Sequence, residues 1–423
     1  MSSGIFSDLE WRGLVHQQTD PGLGDVLAGR AVTCYCGFDP TAPSLTTAHL
    51  LQLLTLRRIQ NAGHRPIALA GGATGLIGDP SGRDSERSLL SREEIEFNVV
   101  KIKTQLETLL DFTPGESRAV LANNADWFAE IGLLDFLREV GRQFSVGMMI
   151  SKESVRARLE EREQGISYAE FSYMLLQSYD FLHLFDTFGC RMQIGGSDQW
   201  GNITAGIELI RRSRGEAAFG LTTPLLLTPE GRKMSKSEGT AVWLDPELTS
   251  PYRYYQFWFN TDDRQVIQFL KFFTFLGPEE VGRLEVELGA NPGGREAQKV
   301  LAREMTDLIH GNEETRKAVK ASESLFGDLS ELDERTLLEV FEDAPSSRHS
   351  PAEAAGGLNL VDLLVQTGLA GSRSEARSHI SSGGVYVNNR RATGTETGGP
   401  DLLAGNYIVL RRGKKTHHLL RFE

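Results

Sequence analysis

Three short apolar runs, each breaking into a turn or into glycines, limit what this chain can fold into more than any other feature. Residues 31–37 end in Phe38-Asp39-Pro40, residues 66–70 in Gly71-Gly72-Ala73-Thr74-Gly75, and residues 190–194 in Gly195-Gly196. An apolar helical pattern covers about 44–61 and closes at Gly63, and another helix opens near Asn202. Strand, helix and strand with short connections is the unit of a parallel sheet, so the pattern predicts an α/β fold. Its glycine-marked turns then fall beyond the carboxyl ends of the strands, where such sheets bind ligands.

At 423 residues the chain is too long for one ordinary domain. Residues 1–245 read as a Rossmann-like parallel-sheet domain. From 246 to 327 the chain becomes helical and aromatic, with Tyr252, Tyr254, Tyr255, Phe257, Trp258 and Phe259 close together. Residues 328–357 turn acidic and then rich in Pro, Ser, Ala and Gly, which suits a linker. The tail, 358–423, holds nine Lys or Arg against five Asp or Glu, in a chain whose net charge is −12. A basic appendage on an acidic body is the asymmetry of an RNA-binding tail rather than of a polycationic protein. Cys34, Cys36 and Cys190 are too few for a disulfide framework or a four-cysteine zinc site, and no metal site is expected. With no signal peptide visible, and Lys271 interrupting the most apolar stretch at 269–276, a soluble cytoplasmic protein without a membrane partner is expected.

Several segments carry potential chemistry. Thr41 is placed to cap the helix that follows, whose leftover N–H groups would form an anion site. His49, further into that helix, is either a satisfied structural histidine or a phosphate contact. Glycines at 72, 75 and 78 fit neither the dinucleotide fingerprint nor a P-loop, so they serve strand–helix packing or close ligand approach. In the mostly apolar pattern 169–182, Tyr173, Gln177 and Asp180 fall at i, i+4 and i+7, a polar stripe on one face. Such a stripe faces solvent, satisfies internal groups, or recognises a polar ligand. Asp198, after Gly195-Gly196, either accepts from ribose hydroxyls or caps the next helix. Lys233 and Lys236, three apart and flanked by Gly231 and Gly239, sit in a loop that is simply solvated or swings onto a polyphosphate.

Lys233-Met-Ser-Lys-Ser237 resembles the signature loop of class I aminoacyl-tRNA synthetases. Residues 35–40 (YCGFDP), 71–80 (GGATGLIGDP), 170–173 (EFSY) and 193–202 (QIGGSDQWGN) are similar to bacterial tyrosyl-tRNA synthetases, and the likeness runs nearly end to end. The tail's residues 361–365, 372–377 and 384–388 resemble an S4 RNA-binding module, in which Ser372 and Glu375 make a capping box and set Arg373 and Arg377 on one face. The resemblance implies activation of L-tyrosine by ATP, with Mg2+ on its phosphates, and transfer to tRNA(Tyr) by a homodimer. By the same resemblance, Tyr35 and Asp180 would hold the phenolic hydroxyl. Asp79, Tyr173 and Gln177 would hold the ammonium group, and Gln199 would lie near the carboxylate. Cys36, Gly37, Asp39, Gly196, Asp198 and Lys236 would meet ATP. Thr41, Thr46, His49, Arg83, Arg87, Lys233 and Lys236 would serve the phosphates. Arg211, Arg212, Arg214, Arg373 and Arg377 would contact tRNA, with 246–327 as a helical tRNA-binding domain.

One signature departs from the family. Its His-Ile/Leu-Gly-His motif here reads Thr46-Thr47-Ala48-His49. Thr46 leaves only a short hydroxyl as phosphate donor, and the Ala48 methyl intrudes where the family's glycine lets adenine lie on bare backbone. Arg83, Gln143 and Gly147 also stand where the family commonly has Lys, His and Asn. Alongside a working synthetase, two further readings stand: a diverged paralogue acting on tyrosine or an analogue outside translation, and a catalytically silent RNA-binding protein.

Overall fold

The computed structural model describes residues 4–81, 90–152, 155–156, 159, 166–228, 231, 241–324, 328–342, 344–355, 357–397, 402–413 and 416–423. Two compact units divide the chain: residues 1–249 with 261–297, and residues 250–260 with 298–423.

The first unit is built on a six-stranded sheet. In chain order its strands are Gln17–Gln18 (β1), Thr33–Phe38 (β2), Arg65–Ala70 (β3), Val120–Asn123 (β4), Cys190–Gly196 (β5) and Phe219–Thr223 (β6). Their order across the sheet is β1-β6-β5-β2-β3-β4; only the short edge strand β1 runs antiparallel to its neighbour. The three apolar runs in the sequence thus become β2, β3 and β5. They are buried on both faces, which is why they read as continuous apolar stretches rather than alternating ones. From β2 the chain builds outward through β3 and β4, then crosses back to place β5 and β6 on the other side of β2. The sheet therefore changes winding direction between β2 and β5, and a crevice for a ligand opens at such a point.

Helix Tyr168–Phe188 lies over this place. Ser167 Oγ caps it by accepting from Glu170 N–H at 3.2 Å, and Gly189 ends it at φ 62°. Phe181 from this helix packs on Tyr35 of β2, ring centroids 5.2 Å apart.

The helix after β2 begins later than its sequence suggests. It runs Thr47–Asn61 with Thr46, not Thr41, as N-cap, because residues 41–45 leave β2 in an irregular turn. Pro43 therefore precedes the helix, and His49 is its third residue.

In the second unit, helix Pro251–Phe259 packs Tyr254 edge-on against His310, centroids 4.9 Å apart. The C-terminal part carries a five-stranded sheet whose order is Arg390–Arg391, Val385–Val387, Tyr407–Arg412, Thr416–Phe422 and Ser346–His349. Helices Leu360–Gln366 and Arg373–Ser381 share a core with it through Leu363, Leu364, Ala376, Ile380, Leu410 and Leu420. The expected linker over 328–357 is thus corrected. It contains helix Glu334–Val340 and the edge strand Ser346–His349, which pairs in parallel with Thr416–Phe422. Its polar composition suited a linker, but backbone pairing to a finished sheet edge needs little apolar side chain.

That edge strand is tied by a histidine pair. Ser347 Oγ lies 3.0 Å from His418 Nε2 and 2.8 Å from His349 Nε2, and His349 Nδ1 lies 3.1 Å from Glu353. Burial, and then the nearby His349, hold His418 below the ordinary histidine pKa. Its depressed value means that its stabilisation is complete above the unfolded pKa of about 6.5 and is lost as pH falls through the folded one. The difference in thermal midpoint between wild type and His418→Gln should therefore shift between pH 7.5 and pH 5, with the wild type losing more than the variant as pH falls. An equal loss in the two proteins would contradict the assignment.

Candidate active site at the sheet crossover

The carboxyl ends of β2, β3, β4 and β5 and the polar stripe of helix Tyr168–Phe188 converge on one cleft. Tyr35 of β2 and Gln193 of β5 are register partners, so both side chains point to the face that this helix covers. Tyr35 is 1% exposed, and its hydroxyl has no hydrogen-bond partner among the described residues; the same holds for Gln193 Oε1. Native interiors rarely leave such groups unmet, so a buried phenol without a partner marks a place for a ligand or water.

Asp180 occupies the deep end of the stripe and is 2% exposed. Trp127 Nε1 donates to its Oδ1 at 2.9 Å and Asn124 Nδ2 to its Oδ2 at 3.0 Å. Burial outweighs these two donors and pushes the carboxyl up to about 8; the Asp39 charge adds to the rise. Burial, with Asp180 next in weight, likewise raises the Tyr35 phenol well above its usual value.

The shallower end holds a second polar group. Tyr173 donates to Asp39 Oδ2 at 2.9 Å. Asp79 accepts from Ser81 N–H at 2.9 Å and from Gln199 Nε2 at 2.6 Å. Surrounding protein raises the Asp79 carboxyl, with Asp39 adding to it, while the Ser81 and Gln199 bonds oppose the shift. Gln177 and Gln199 are joined at 3.2 Å, and buried Asn202 donates to Gln177 Oε1 at 2.9 Å and to Gln199 Oε1 at 3.2 Å. Two carboxylates, a phenol and two amides brought together in this way suit an alkylammonium group, while Asp180 and Tyr35 suit a hydroxyl. The predicted Tyr35, Asp79, Tyr173, Gln177, Asp180 and Gln199 therefore come together.

A class I tRNA synthetase family model, described for W and Y enzymes, matches residues 27–327, and a tyrosine–tRNA ligase SYY-like C-terminal domain matches 336–420. The chain is 52% identical to the tyrosine–tRNA ligase of Geobacillus stearothermophilus over 99% of each chain. It is 50% identical to tyrosine–tRNA ligase 2 of Enterococcus faecalis over the full length of both. Among solved structures, a C-terminally truncated mitochondrial tyrosyl-tRNA synthetase from Aspergillus nidulans superposes with a TM-score of 0.70 at 33% identity, over 77% of this chain and 95% of the other. The chain belongs to the class I tyrosyl-tRNA synthetases.

In this synthetase the altered signature forms the start of a helix. The Thr46 backbone N–H donates to His49 Nδ1 at 3.1 Å, and the Thr46 hydroxyl lies 3.0 Å from the same nitrogen. Because a backbone N–H can only donate, His49 Nδ1 is the acceptor and Nε2 carries the proton. Thr46 is buried, with its hydroxyl turned to His49. The anion site expected at this helix end is reduced, since Thr47 N–H donates to Val242 O at 3.1 Å. Residues 242–244 follow the lysine loop in sequence and pair backbone to backbone with 45–47.

The remaining expected residues are placed as follows. Cys36 is buried, and that burial pushes its thiol up to about 12. Gly37 is exposed at the strand end, and Thr41 donates from its backbone to Asp39 O. Asp198 lies in the single turn Ser197–Gln199; the next helix, Trp200–Arg214, has Gln199 as N-cap, so the capping role for Asp198 falls away. A Cβ at Gly196 would sit 2.8 Å from Asp198 Oδ1, so only glycine leaves that carboxylate its position. Arg83, Arg87, Lys233 and Lys236 lie outside the described residues. Arg211 and Arg212 both pair with Glu208, at 2.7 and 2.6 Å, and Arg214 pairs with Asp186 at 2.6 Å. In the second unit Arg373 pairs with Asp362 at 2.8 Å and Arg377 is exposed; Ser372 Oγ caps their helix as expected, while Glu375 turns to Gly371 N–H.

Asn124, Trp127, Thr74 and Asn202 were not among the expected residues. A signal existed for the first two: β4 ends at Asn123 and is followed by Asn124 at the same sheet edge as the glycine-marked turns, but the strand is too short and half-buried to stand out.

The raised carboxyl of Asp180 fixes a pH dependence. A carboxyl held at about 8 when folded and near 3.9 when unfolded keeps its proton better in the native state, so it costs stability progressively as pH rises from about 4 to 8. Asp180→Asn should remove that part of the pH profile of thermal unfolding. If the variant and wild type keep parallel profiles, the buried proton is misplaced.

Proposed function

We propose that the cleft binds L-tyrosine lengthwise, phenol inward and ammonium outward, and presents its carboxylate to ATP. The substrate hydroxyl donates to Asp180 and accepts from Tyr35. The ammonium group meets Asp79, Tyr173 and Gln177, with Gln199 beside the carboxylate. A buried phenol without a partner among the described residues, next to a buried acid, carries this reading.

The carboxylate attacks the α-phosphorus of magnesium-bound ATP in line; the bond to the β-phosphate oxygen breaks, leaving tyrosyl-adenylate and pyrophosphate. The attacking group is already an anion, so no side-chain nucleophile is needed, and the rate gain comes from positioning and from stabilising charge on the phosphates. His49 Nε2–H, Thr41, Arg83, Arg87, Lys233 and Lys236 supply that stabilisation, and Cys36, Gly37, Asp39, Gly196 and Asp198 border the nucleotide. Asp39 acts chiefly through Tyr173, which already holds one of its oxygens. The terminal ribose hydroxyl of tRNA(Tyr) then attacks the carbonyl and releases AMP. For the tRNA, Arg211, Arg212, Arg214, Arg373 and Arg377 offer surface cations; acidic partners on most of them make the contact a competition with phosphate.

The paralogue reading gains from one observation: with Thr46 turned to His49, this motif offers the phosphates fewer donors than two histidines would, and losing one such donor typically lowers the rate about 10²–10³-fold. A homodimer accounts for an exposed apolar surface, since Leu133, Leu134 and Val146 are 73, 80 and 61% exposed, with Leu137 and Ile150 nearby in sequence. Among the described residues no helix is long and apolar enough to cross a membrane, and the substrates are those of the cytoplasm.

The deciding assay is amino-acid-dependent exchange of pyrophosphate into ATP. Tyrosine should support exchange and phenylalanine should not, because phenylalanine leaves Asp180 and Tyr35 unpaired; the established discrimination for this family is about 10⁵-fold. Asp180→Ala should collapse that ratio. Wild-type exchange no faster than that of Lys236→Ala would remove the activation reading and leave RNA binding as the function.

A further inference from the structure

The two ends of the amino-acid cleft are joined by one chain of hydrogen bonds whose direction is fixed throughout. Ala73 N–H donates to Asn124 Oδ1 at 2.7 Å, which settles the orientation of that amide. Its two N–H groups then go to Asp180 Oδ2 at 3.0 Å and to Thr74 Oγ1 at 2.9 Å. Since Thr74 Oγ1 accepts from Asn124, its single proton goes to Asp39 Oδ1, 2.8 Å away. Tyr173 donates to the other oxygen of Asp39. Asp180 at the phenol end and Asp39 beside the ammonium end are thus linked through one hydroxyl.

This hydroxyl is buried, and Asn124 is wholly so, which leaves little room for water to replace either bond. The backbone has been cleared to make room for it. A Cβ built on Gly71 would lie 2.1 Å from Asp39 Oδ1 and 2.5 Å from Thr74 Oγ1. A Cβ at Gly75 would instead press on Pro40 and Ile95 at 3.0 and 3.2 Å. The glycines that follow β3 thus serve two purposes, packing at Gly75 in the first turn of helix Thr74–Ile77 and clearance for the Asp39–Thr74 bond at Gly71.

We propose that Thr74 is a positioning residue that sets both ends of the amino-acid site at once, through Asn124 on Asp180 and through Asp39 on Tyr173. The inference rests on the binding mode given above. A valine at 74 keeps the shape and removes the hydroxyl, so it strands one N–H of Asn124 and one oxygen of Asp39. Bonds to charged groups of this kind are worth roughly tenfold or more in affinity.

Two ligands that each use one end separate the possibilities, both measured as inhibitors of tyrosine-dependent exchange. L-phenylalanine keeps the ammonium group without the phenol; 3-(4-hydroxyphenyl)propionate keeps the phenol without the ammonium group. In Thr74→Val both inhibition constants should rise about tenfold, KM for ATP should stay within twofold of wild type, and Thr74→Ser should restore both. If Thr74→Val does not fold, Thr74→Ala against Thr74→Ser makes the same comparison. A wild-type constant for either ligand in the hydroxyl-free variant overturns the two-ended role. Wild-type protein that binds neither ligand would instead overturn the amino-acid reading of the cleft, and this inference with it.

Discussion

A carboxylate with 2% of its surface exposed must be met by donors or stay protonated, and Asp180 sits between these states. Trp127 and Asn124 give it two bonds, enough to fix its direction but too few to offset its burial, which pushes the carboxyl up to about 8. The Tyr35 hydroxyl, without a partner among the described residues, stands in the same surroundings. A ligand hydroxyl that donates to one and accepts from the other relieves both at once, whereas a bare phenyl ring relieves neither. Selectivity of this kind comes from groups the protein cannot satisfy alone.

The sheet makes this arrangement possible. Because winding reverses between β2 and β5, Tyr35 and Gln193 become neighbours although 158 positions of sequence number (193 − 35) separate them. The helix that crosses over them brings Tyr173, Gln177 and Asp180 on a single face. Strands buried on both sides supply a rigid floor, and the loops at their carboxyl ends hold the polar residues.

Much of this was legible in the sequence for physical reasons. Doubly buried parallel strands leave apolar runs, the turns at their ends demand Gly71 and Gly196, and a polar stripe at 173, 177 and 180 stands out within an apolar helix. What the sequence hid depends on tertiary placement. Asn124 and Trp127 follow a four-residue strand with no clear pattern, and Thr74 looks like any helix-starting threonine until Asp39 is seen beside it. The helix start was misplaced because Thr41-Ala42-Pro43-Ser44 mimics a capped first turn, while Thr46 is made the true cap by the backbone of residues 242–244, far away in the chain. The polar stretch at 328–357 hid a strand for the same reason, since its partner Thr416–Phe422 lies at the chain's end.

Thr46 and His49 show how an altered signature can remain a working piece of structure. The threonine caps the helix and fixes the histidine tautomer with Nε2 protonated, the form able to donate to an oxyanion. The account as a whole stands on where the aromatic ring of the substrate points. A crystal structure with a non-hydrolysable tyrosyl-adenylate mimic measures this directly. The phenolic oxygen should lie about 2.7 Å from both Asp180 and the Tyr35 hydroxyl; a ring turned outward, or a cleft closed around no ligand, would contradict it.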